Sequence, residues 1–355
     1  MPAFLLSGYW TRHSKKSLGQ SSYCLVCFAS CHTSVSERTK TMKSNIHTSV
    51  VLSAILAIGL VSCSDTAQKE ASQTETALAG TISVSVDPEI IGILGSAKGL
   101  YDKAHPNASV TLVGANVHST MDRMLNHQER IAIIARDYTP SEDSAIANDP
   151  GDTLPRTLLG RDALVFFVAK DFPYDTMNSD HIRQWLGGES GVKVSYPKLA
   201  SDPTFIISGD ASGSIYGNIV NVVLGKKKLP SRQRIASVPD HDSVVRAVQS
   251  VRGSIGVGYM SQVLRDTSVK PLRLSYTNAD GSHEWPKPVH LSYLIMGKYP
   301  FPVPIWVYLR DLPNQYNLPS GFMQYMTRNG DALKTLFAAG IEPAYAKFSL
   351  TMPEE

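Results

Sequence analysis

The sequence is poor in several patterns on which other protein classes depend. Its four cysteines stand at positions 24, 27, 31 and 63, and none follows Cys63, so no disulfide stabilises the rest of the chain. The 34 lysines and arginines nearly balance the 31 aspartates and glutamates, and the only basic run of three is 226–228. Because scattered positive charge does not form the patch that nucleic acids require, we expect no nucleic-acid partner.

The stretch 203–225 is rich in glycine and serine but lacks the motifs of nucleotide-binding and hydrolytic enzymes. No lysine directly follows Gly213, as a Walker loop requires, and the Gly-x-Gly-x-x-Gly spacing of dinucleotide sites is missing. A nucleophile elbow would need glycines where Asp210 and Ser214 stand. The chain after Cys63 also lacks metal-site spacing of histidine and aspartate and any serine with an evident base. We therefore expect that the protein is not an enzyme and that it binds no metal and no cofactor.

The N-terminal part resembles an export leader rather than a folded domain. Residues 1–41 show little apolar periodicity, and their Cys-x2-Cys-x3-Cys-His lacks the second pair of a zinc site, so we interpret them as a non-structural leader. Residues 42–63 follow as a lipoprotein signal peptide: Lys43 precedes an apolar run at 50–61, too short to span a bilayer comfortably, and Leu-Val-Ser-Cys ends at Cys63. Residues 64–79 have almost no large apolar side chain and are predicted to be a flexible tether.

From residue 80 onward, strand and helix patterns alternate. Strands are predicted at 81–86, 110–113 and 131–135, with helices at 88–105 and 119–127 between them. The run at 131–135 is apolar throughout, which is typical of a strand buried on both faces of a parallel sheet. Further elements are predicted at 164–169, 178–186, 242–251, 253–260, 305–309, 322–328 and 332–339, with a Pro-rich loop at 299–304. The pattern predicts an α/β fold.

The stretch around residues 208–214, which we call the serine loop, is predicted to bind an anion. It follows a short apolar strand at 205–207 and precedes a helix that begins near Ile215. Ser212 is suited to be the N-cap of that helix, whose first N–H groups would then face an anion above it. Arg136 follows the buried strand at its carboxyl end, where ligands of open α/β sheets bind. A capped surface helix and a surface salt bridge are the alternatives for these two features.

Five segments in order resemble the periplasmic phosphate-binding proteins of bacterial phosphate ABC transporters. They are IAIIARDYTPSE, LVFFVAKDFP with NSDHIRQWLGG, SGDASGS, VVRAVQSVRGSIGVGYM and SGFMQYMTRNGDALKTLFAAGIEPA. The resemblance spans residues 80–344. It implies a type II periplasmic-binding-protein fold of two lobes, each with a mostly parallel sheet flanked by helices, joined by two hinge crossovers. Lobe I would comprise 80–168 and 257–355, and lobe II 169–256.

The same resemblance implies a function and a set of binding residues. The protein would capture inorganic phosphate between its lobes and deliver it to an ABC permease, as a monomer in the cell envelope, held to the membrane by lipid on Cys63. The phosphate ligands carried over from the family are Asp210, Ser212, Gly213, Ser214, Arg136 and Asp87.

Two departures from the family pattern leave alternatives open. Ser208 stands where the family commonly has an arginine, and Asp87 lies in a first loop that lacks the usual glycine-serine-threonine run. A different oxyanion, or a sensor or adhesion module of the same fold, is therefore the alternative function. We also hypothesise that Asp210 accepts a proton that phosphate carries and sulfate lacks. The alternative for Asp210 is a turn residue bonded within its own loop.

Overall fold

A computed structural model describes residues 75–148, 154–189, 191–227, 229–230, 234–311 and 316–345. The predicted leader, the signal peptide with Cys63, and residues 64–74 of the predicted tether lie outside the described residues. All described residues belong to one compact unit, Thr66–Glu355. Within the described ranges, no helix combines the length and apolar character needed to cross a membrane.

The described residues alternate between strands and helices, as the periodicity predicted. The strands are β1 (Gly80–Val86), β2 (Ala108–Gly114), β3 (Ile131–Ile134), β4 (Arg156–Ala169), β5 (Thr176–Asn178), β6 (Phe205–Ser208), β7 (Ile235–Val238), β8 (Ile255–Tyr259), β9 (Val269–Pro271), β10 (Arg273–Thr277), β11 (His283–Glu284), β12 (Pro302–Leu309) and β13 (Glu342–Pro343). The α-helices are α1 (Ile91–Ala104), α2 (Val117–Leu125), α3 (Pro140–Asn148), α4 (Ser179–Leu186), α5 (Ser214–Asn218), α6 (His241–Ser250), α7 (Met260–Val263), α8 (Leu291–Ile295), α9 (Leu318–Arg328) and α10 (Gly330–Ala338). A 3-10 turn at Val192–Ser195 and a π-helical turn at Ile219–Val223 complete the elements.

One ten-stranded sheet organises the molecule and confirms the predicted α/β fold. Its order is β2-β1-β3-β12-β4-β8-β6-β7, with β9 and β13 also paired to β4. Neighbours are parallel within β2-β1-β3 and within β8-β6-β7, whereas β12 runs antiparallel to both β3 and β4. A separate sheet has the order β11-β10-β5.

Strand β4 belongs to both halves of the large sheet. Its first part pairs with β12 and β13, and its second part pairs antiparallel with β8 and β9. Two crossovers near 164–169 and 255–260 were predicted, and these segments lie side by side as β4 and β8. Only glycine fits at position 256 of β8, because the Cβ of any other residue would lie 2.5 Å from the Phe167 ring. The lobe boundaries at residues 168 and 256 stay a prediction.

Asp162 fastens β4 to the segment that follows β8. Its carboxylate is fully buried and accepts hydrogen bonds from Ala163 N at 2.7 Å, from Ser261 N at 3.3 Å and from the Ser261 hydroxyl. Desolvation dominates over these donors and raises the pKa of Asp162 to about 6. This buried acid lies where the two sheet halves join.

Two predictions about element bounds are wrong in part. The first helix was expected from residue 88 but begins at Ile91, because the backbone after Asp87 first forms a turn in which Ile90 N donates to Asp87 O at 3.1 Å. The loop expected at 299–304 gives way to β12 at Pro302. Pro302 and Pro304 are accommodated beside a register shift between Ile305 and Trp306 of that strand.

Candidate functional site

A cleft of about 410 Å³ opens where the carboxyl ends of strands from both sheet halves meet. This is the edge at which open α/β sheets bind ligands. The loops after β1 and β2 form one wall, and the serine loop with the end of β7 forms the other. Its lining residues are Asp87, Pro88, Glu89, Asn116, Val117, Ser208, Gly209, Asp210, Gly213, Ser214, Ser237, Val238 and Pro239.

Asp87 closes the base of the cleft and is almost completely buried. Its Oδ1 accepts from Glu89 N at 3.1 Å, and its Oδ2 accepts from Ala135 N at 3.2 Å. Burial raises the pKa of Asp87, although the Ser214 hydroxyl and the two N–H groups act to lower it. Asp87 therefore organises the backbone of the β1 and β3 ends while presenting a carboxyl group to the cleft.

Glu89 is a cleft residue that the sequence reading did not select. Desolvation is the main cause that raises its pKa, and the nearby carboxylates of Asp87 and Asp240 act in the same direction. The Ser208 hydroxyl and the Gln262 amide, which lies 3.5 Å from Glu89 Oε2, act to lower it. In the sequence, the only indication of this residue is its place in the first loop, where it adds a second carboxylate two residues after Asp87.

The serine loop bonds largely to itself. Asp210 Oδ1 accepts from Ser212 N at 2.8 Å and from the Ser212 hydroxyl, and Asp210 O accepts from Gly213 N at 3.0 Å. The Ser212 donors lower the pKa of Asp210. This is the self-bonded turn that was the alternative for Asp210, and it occupies two N–H groups that an anion would need.

The prediction that Ser212 caps the following helix is wrong. The N-cap of α5 is Gly213, with no side-chain cap. The Ser212 hydroxyl instead donates to Asp210 and accepts from Asn116 Nδ2 at 2.5 Å, while Ser212 O accepts from His118 N at 3.2 Å. Ser212 thus connects the two walls. Asn116 could have been found in the sequence as the N-cap of α2, where its Oδ1 accepts from Ser119 N.

Ser214 lines the cleft with its side chain buried to 1% exposure. Among the described residues, no partner lies within hydrogen-bond geometry of its Oγ. The hydroxyl is nevertheless close enough to Asp87 and Tyr259 to act against the burial that raises the pKa of each. Ser214 is therefore a buried polar group that can still bond to a ligand.

Arg136, the predicted cationic ligand, is not among the cleft-lining residues. Its guanidinium is 2% exposed and forms two 2.6 Å hydrogen bonds with the Glu142 carboxylate, and it also donates to Asp137 O at 2.9 Å. Burial acts to lower the pKa of Arg136, but the Glu142 bonds outweigh it and the pKa stays raised. The guanidinium borders a separate cavity of about 110 Å³ behind Ser212 and Gly213.

Asn218 and Tyr259 join the two sheet halves below the cleft. Asn218 Nδ2 donates to Ala135 O at 2.7 Å and to the Tyr259 hydroxyl at 2.9 Å, and Tyr259 donates to Ala135 O at 2.9 Å. All three atoms are buried. This triangle ties the end of β3 to α5 and to β8, and it fixes the position of the serine loop relative to Asp87.

Replacing Asn218 by alanine is expected to lower the free energy of unfolding by about 2 kcal/mol, because two buried hydrogen bonds are lost. Urea denaturation of both proteins measures the difference. Asn278→Ala is the control: it removes a bond to the Ser282 hydroxyl at a surface turn and should cost within about 0.5 kcal/mol. Equal losses in the two variants would contradict a special role for the triangle.

Comparison with known proteins places this architecture in a family. The model of a family described as a PBP superfamily domain matches residues 71–329, well over half of the chain. The chain belongs to the PBP superfamily. No curated protein matches the sequence.

Two solved structures share the PBP superfamily fold of this chain. One, from Clostridium perfringens, is described as a phosphate ABC transporter substrate-binding protein with bound phosphate; it has a TM-score of 0.60 and 14% identity, covering 75% of this chain and 100% of that one. The other is described as an ABC-type phosphate transport receptor from Vibrio cholerae, with a TM-score of 0.56 and 15% identity, covering 74% and 100%. At these identities the likeness establishes the fold.

Proposed function

We propose that the chain is a solute-binding protein that captures a small polar solute in the cleft and delivers it to an ABC permease. The observation that carries the proposal is the cleft itself. It has the volume of a small-molecule site and lies at the carboxyl ends of the strands, between walls from the two sheet halves. The Asn116–Ser212 side-chain bond joins those walls and can break and reform as a ligand enters.

Inorganic phosphate is the solute that the family resemblance predicts, and it is the first ligand to test. Support comes from the hydroxyls of Ser208, Ser214 and Ser237, which can donate to an oxyanion, and from the fold shared with the Clostridium perfringens protein. Phosphate that carries a proton can donate to Asp210. In this proposal, Arg136 does not bind phosphate directly, because its guanidinium is paired with the Glu142 carboxylate.

The remaining parts of the proposal concern location. Lipid on Cys63 would hold the protein at a membrane of the cell envelope, where the folded unit would bind its solute as a monomer, without catalysing a reaction. A sensor of the same fold is the second candidate. It is favoured by Ser208, which stands in the cleft where the resembling family commonly has an arginine.

Titration of the full chain in detergent with phosphate and with sulfate tests the function. If phosphate is the solute, phosphate at 100 times its dissociation constant stabilises the protein by about 2.7 kcal/mol, seen as a raised thermal midpoint, while sulfate has no effect. Asp210→Asn should weaken the preference for phosphate. Asp280→Asn is the matched control, because Asp280 makes the same turn with Ser282 far along the chain. If no small solute of any charge raises the midpoint, solute capture is wrong.

A further inference from the structure

The charge of the cleft narrows the class of solute, provided that solute capture, as proposed above, is the function. Three carboxylates line the cleft, Asp87, Glu89 and Asp210, and none of its lining residues is a lysine, arginine or histidine. Arg136, the nearest predicted cation, is already neutralised by Glu142. A buried anion needs charge-assisted donors to offset its lost hydration, and this cleft offers neutral hydroxyls beside like charge.

The acidic lining continues into a neighbouring groove. A side groove of about 800 Å³ shares Pro88, Glu89 and Pro239 with the cleft. Its carboxylates are Asp240, Asp242 and Asp266. The cleft and the side groove together form a continuous path that carries six carboxylates.

Two basic residues, Arg265 and His241, also line the side groove. Arg265 uses its guanidinium to donate to Ala339 O at 2.9 Å. Desolvation lowers the pKa of the His241 ring despite the neighbouring aspartates, which favours its neutral form. The path therefore carries an excess of acidic over basic side chains, which attracts and concentrates cationic solutes.

A second observation, independent of charge, indicates a ligand that forms hydrogen bonds at the base of the cleft. The Ser214 oxygen is buried, lines the cleft and lacks a partner of hydrogen-bond geometry in the described part of the chain. A buried hydroxyl without a partner is costly, and a ligand N–H would satisfy its lone pairs. The same group lies beside the Asp87 carboxyl, so one ammonium could bond to both.

The structure also argues against two other kinds of cation. Among the described residues, no cluster of three histidine, cysteine, aspartate or glutamate side chains could hold a metal ion. A quaternary ammonium is recognised by aromatic faces, and no aromatic residue lines the cleft. What remains is a cation that carries its own hydrogen-bond donors.

We propose that the cleft binds a small organic solute through its primary ammonium groups, with one group held by Asp87, Glu89 and the Ser214 hydroxyl. A second ammonium can lie toward Asp240 at the side groove, so linear diamines are the class that fits best. The carboxylates accept the ammonium hydrogens, and the alkyl segment contacts Val117, Val238 and the prolines of the lining.

The proposal carries a dependence on pH. Burial raises the pKa values of Asp87 and Glu89, so each carboxylate takes up a proton more readily in the empty cleft than it would in water. A bound ammonium stabilises the ionised form, so binding releases protons and strengthens as pH rises from acid toward neutrality. The other charged or titratable groups that act on this pair are Arg136, Tyr259 and Asp240, of which Arg136 stays charged in its ion pair.

Calorimetric titration of the full chain in detergent with 1,4-diaminobutane, tetramethylammonium, magnesium chloride and inorganic phosphate tests the proposal. We expect one-to-one binding of the diamine only, with proton release visible as a dependence of the heat on the buffer. Glu89→Gln should weaken diamine binding about tenfold or more, because a charge-assisted bond becomes neutral. Asp280→Asn, at a distant turn, is the control and should leave the affinity unchanged.

The possible results separate this inference from the proposed function. Binding of phosphate but not of the diamine leaves solute capture standing and overturns the ammonium assignment. Equal binding of tetramethylammonium or tight binding of magnesium also overturns it, since charge alone or metal ligation would then explain the site. Unchanged diamine affinity in Glu89→Gln places the ligand elsewhere. No response to any of these probes overturns the ammonium assignment, and solute capture is rejected when no small solute of any charge raises the thermal midpoint.

Discussion

Arg136→Met is expected to lower the free energy of unfolding by about 3–5 kcal/mol, because it leaves the Glu142 carboxylate charged and buried without its partner. The pair is 2% and 3% exposed, with two 2.6 Å hydrogen bonds, so solvent screens it little. Urea denaturation at neutral pH measures the loss. The solute affinity of the remaining folded protein should be unchanged, because the guanidinium does not line the cleft.

Two further variants distinguish this ion pair from a ligand site. The double variant Arg136→Met with Glu142→Leu should recover most of the loss, since removing both charges removes the unpaired one. Lys334→Met is the control from an exposed pair with Asp331 and should cost less than about 1 kcal/mol. If Arg136→Met abolished solute binding and left stability intact, the guanidinium would be a ligand, as the family resemblance predicted.

Asp162 is expected to make the protein less stable as pH rises from about 4 to about 6. Its pKa is raised from the ordinary 3.8 to about 6 in the folded protein, so in this window the folded state holds a proton that the unfolded state has lost. The contribution is fully present below pH 4 and is lost above pH 6. At about 1.4 kcal/mol per pKa unit, it amounts to about 3 kcal/mol.

Denaturation of the wild type and of Asp162→Asn at several pH values isolates this contribution. The stability of the wild type relative to the variant should fall by about 3 kcal/mol between pH 4 and pH 7, because asparagine does not titrate. The other carboxylates titrate equally in both proteins and cancel. A constant difference across this range would mean that the donors Ala163 and Ser261 keep Asp162 ionised throughout.

The strands and the self-bonded serine loop could be predicted from the sequence, because the interactions that form them act between residues close together in the chain. The apolar run at 131–135 required burial on both faces, and β3 has four buried residues there. The serine loop was recognised from its small residues, and the turn of Asp210 was one of two readings that its sequence allowed. Periodicity and turn chemistry act within a few residues, so a single sequence records them.

The hydrogen-bond partners of the site residues could not be predicted from the sequence, because those partners are distant in the chain. The order of elements along the chain placed Arg136 at a ligand-binding position. The carboxylate that binds its guanidinium is that of Glu142 on α3, a helix that the apolar periodicity did not predict. Ser212 satisfied the rules for an N-cap, yet its hydroxyl oxygen instead accepts a hydrogen bond from Asn116, almost a hundred residues earlier in the chain. Glu89 became a cleft residue only through the packing of Ser208 and Gln262 around it.

The place of β12 in the sheet has a consequence for biosynthesis. This strand, Pro302–Leu309, lies between β3 and β4, although it is made more than a hundred residues after both. Until it emerges, the facing edges of β3 and β4 present unpaired N–H and C=O groups, the kind of edge that recruits other chains. The half built from β4, β6, β7 and β8 has its strands complete by Tyr259 and can form earlier. The nascent chain therefore carries an aggregation-prone edge until β12 has been made.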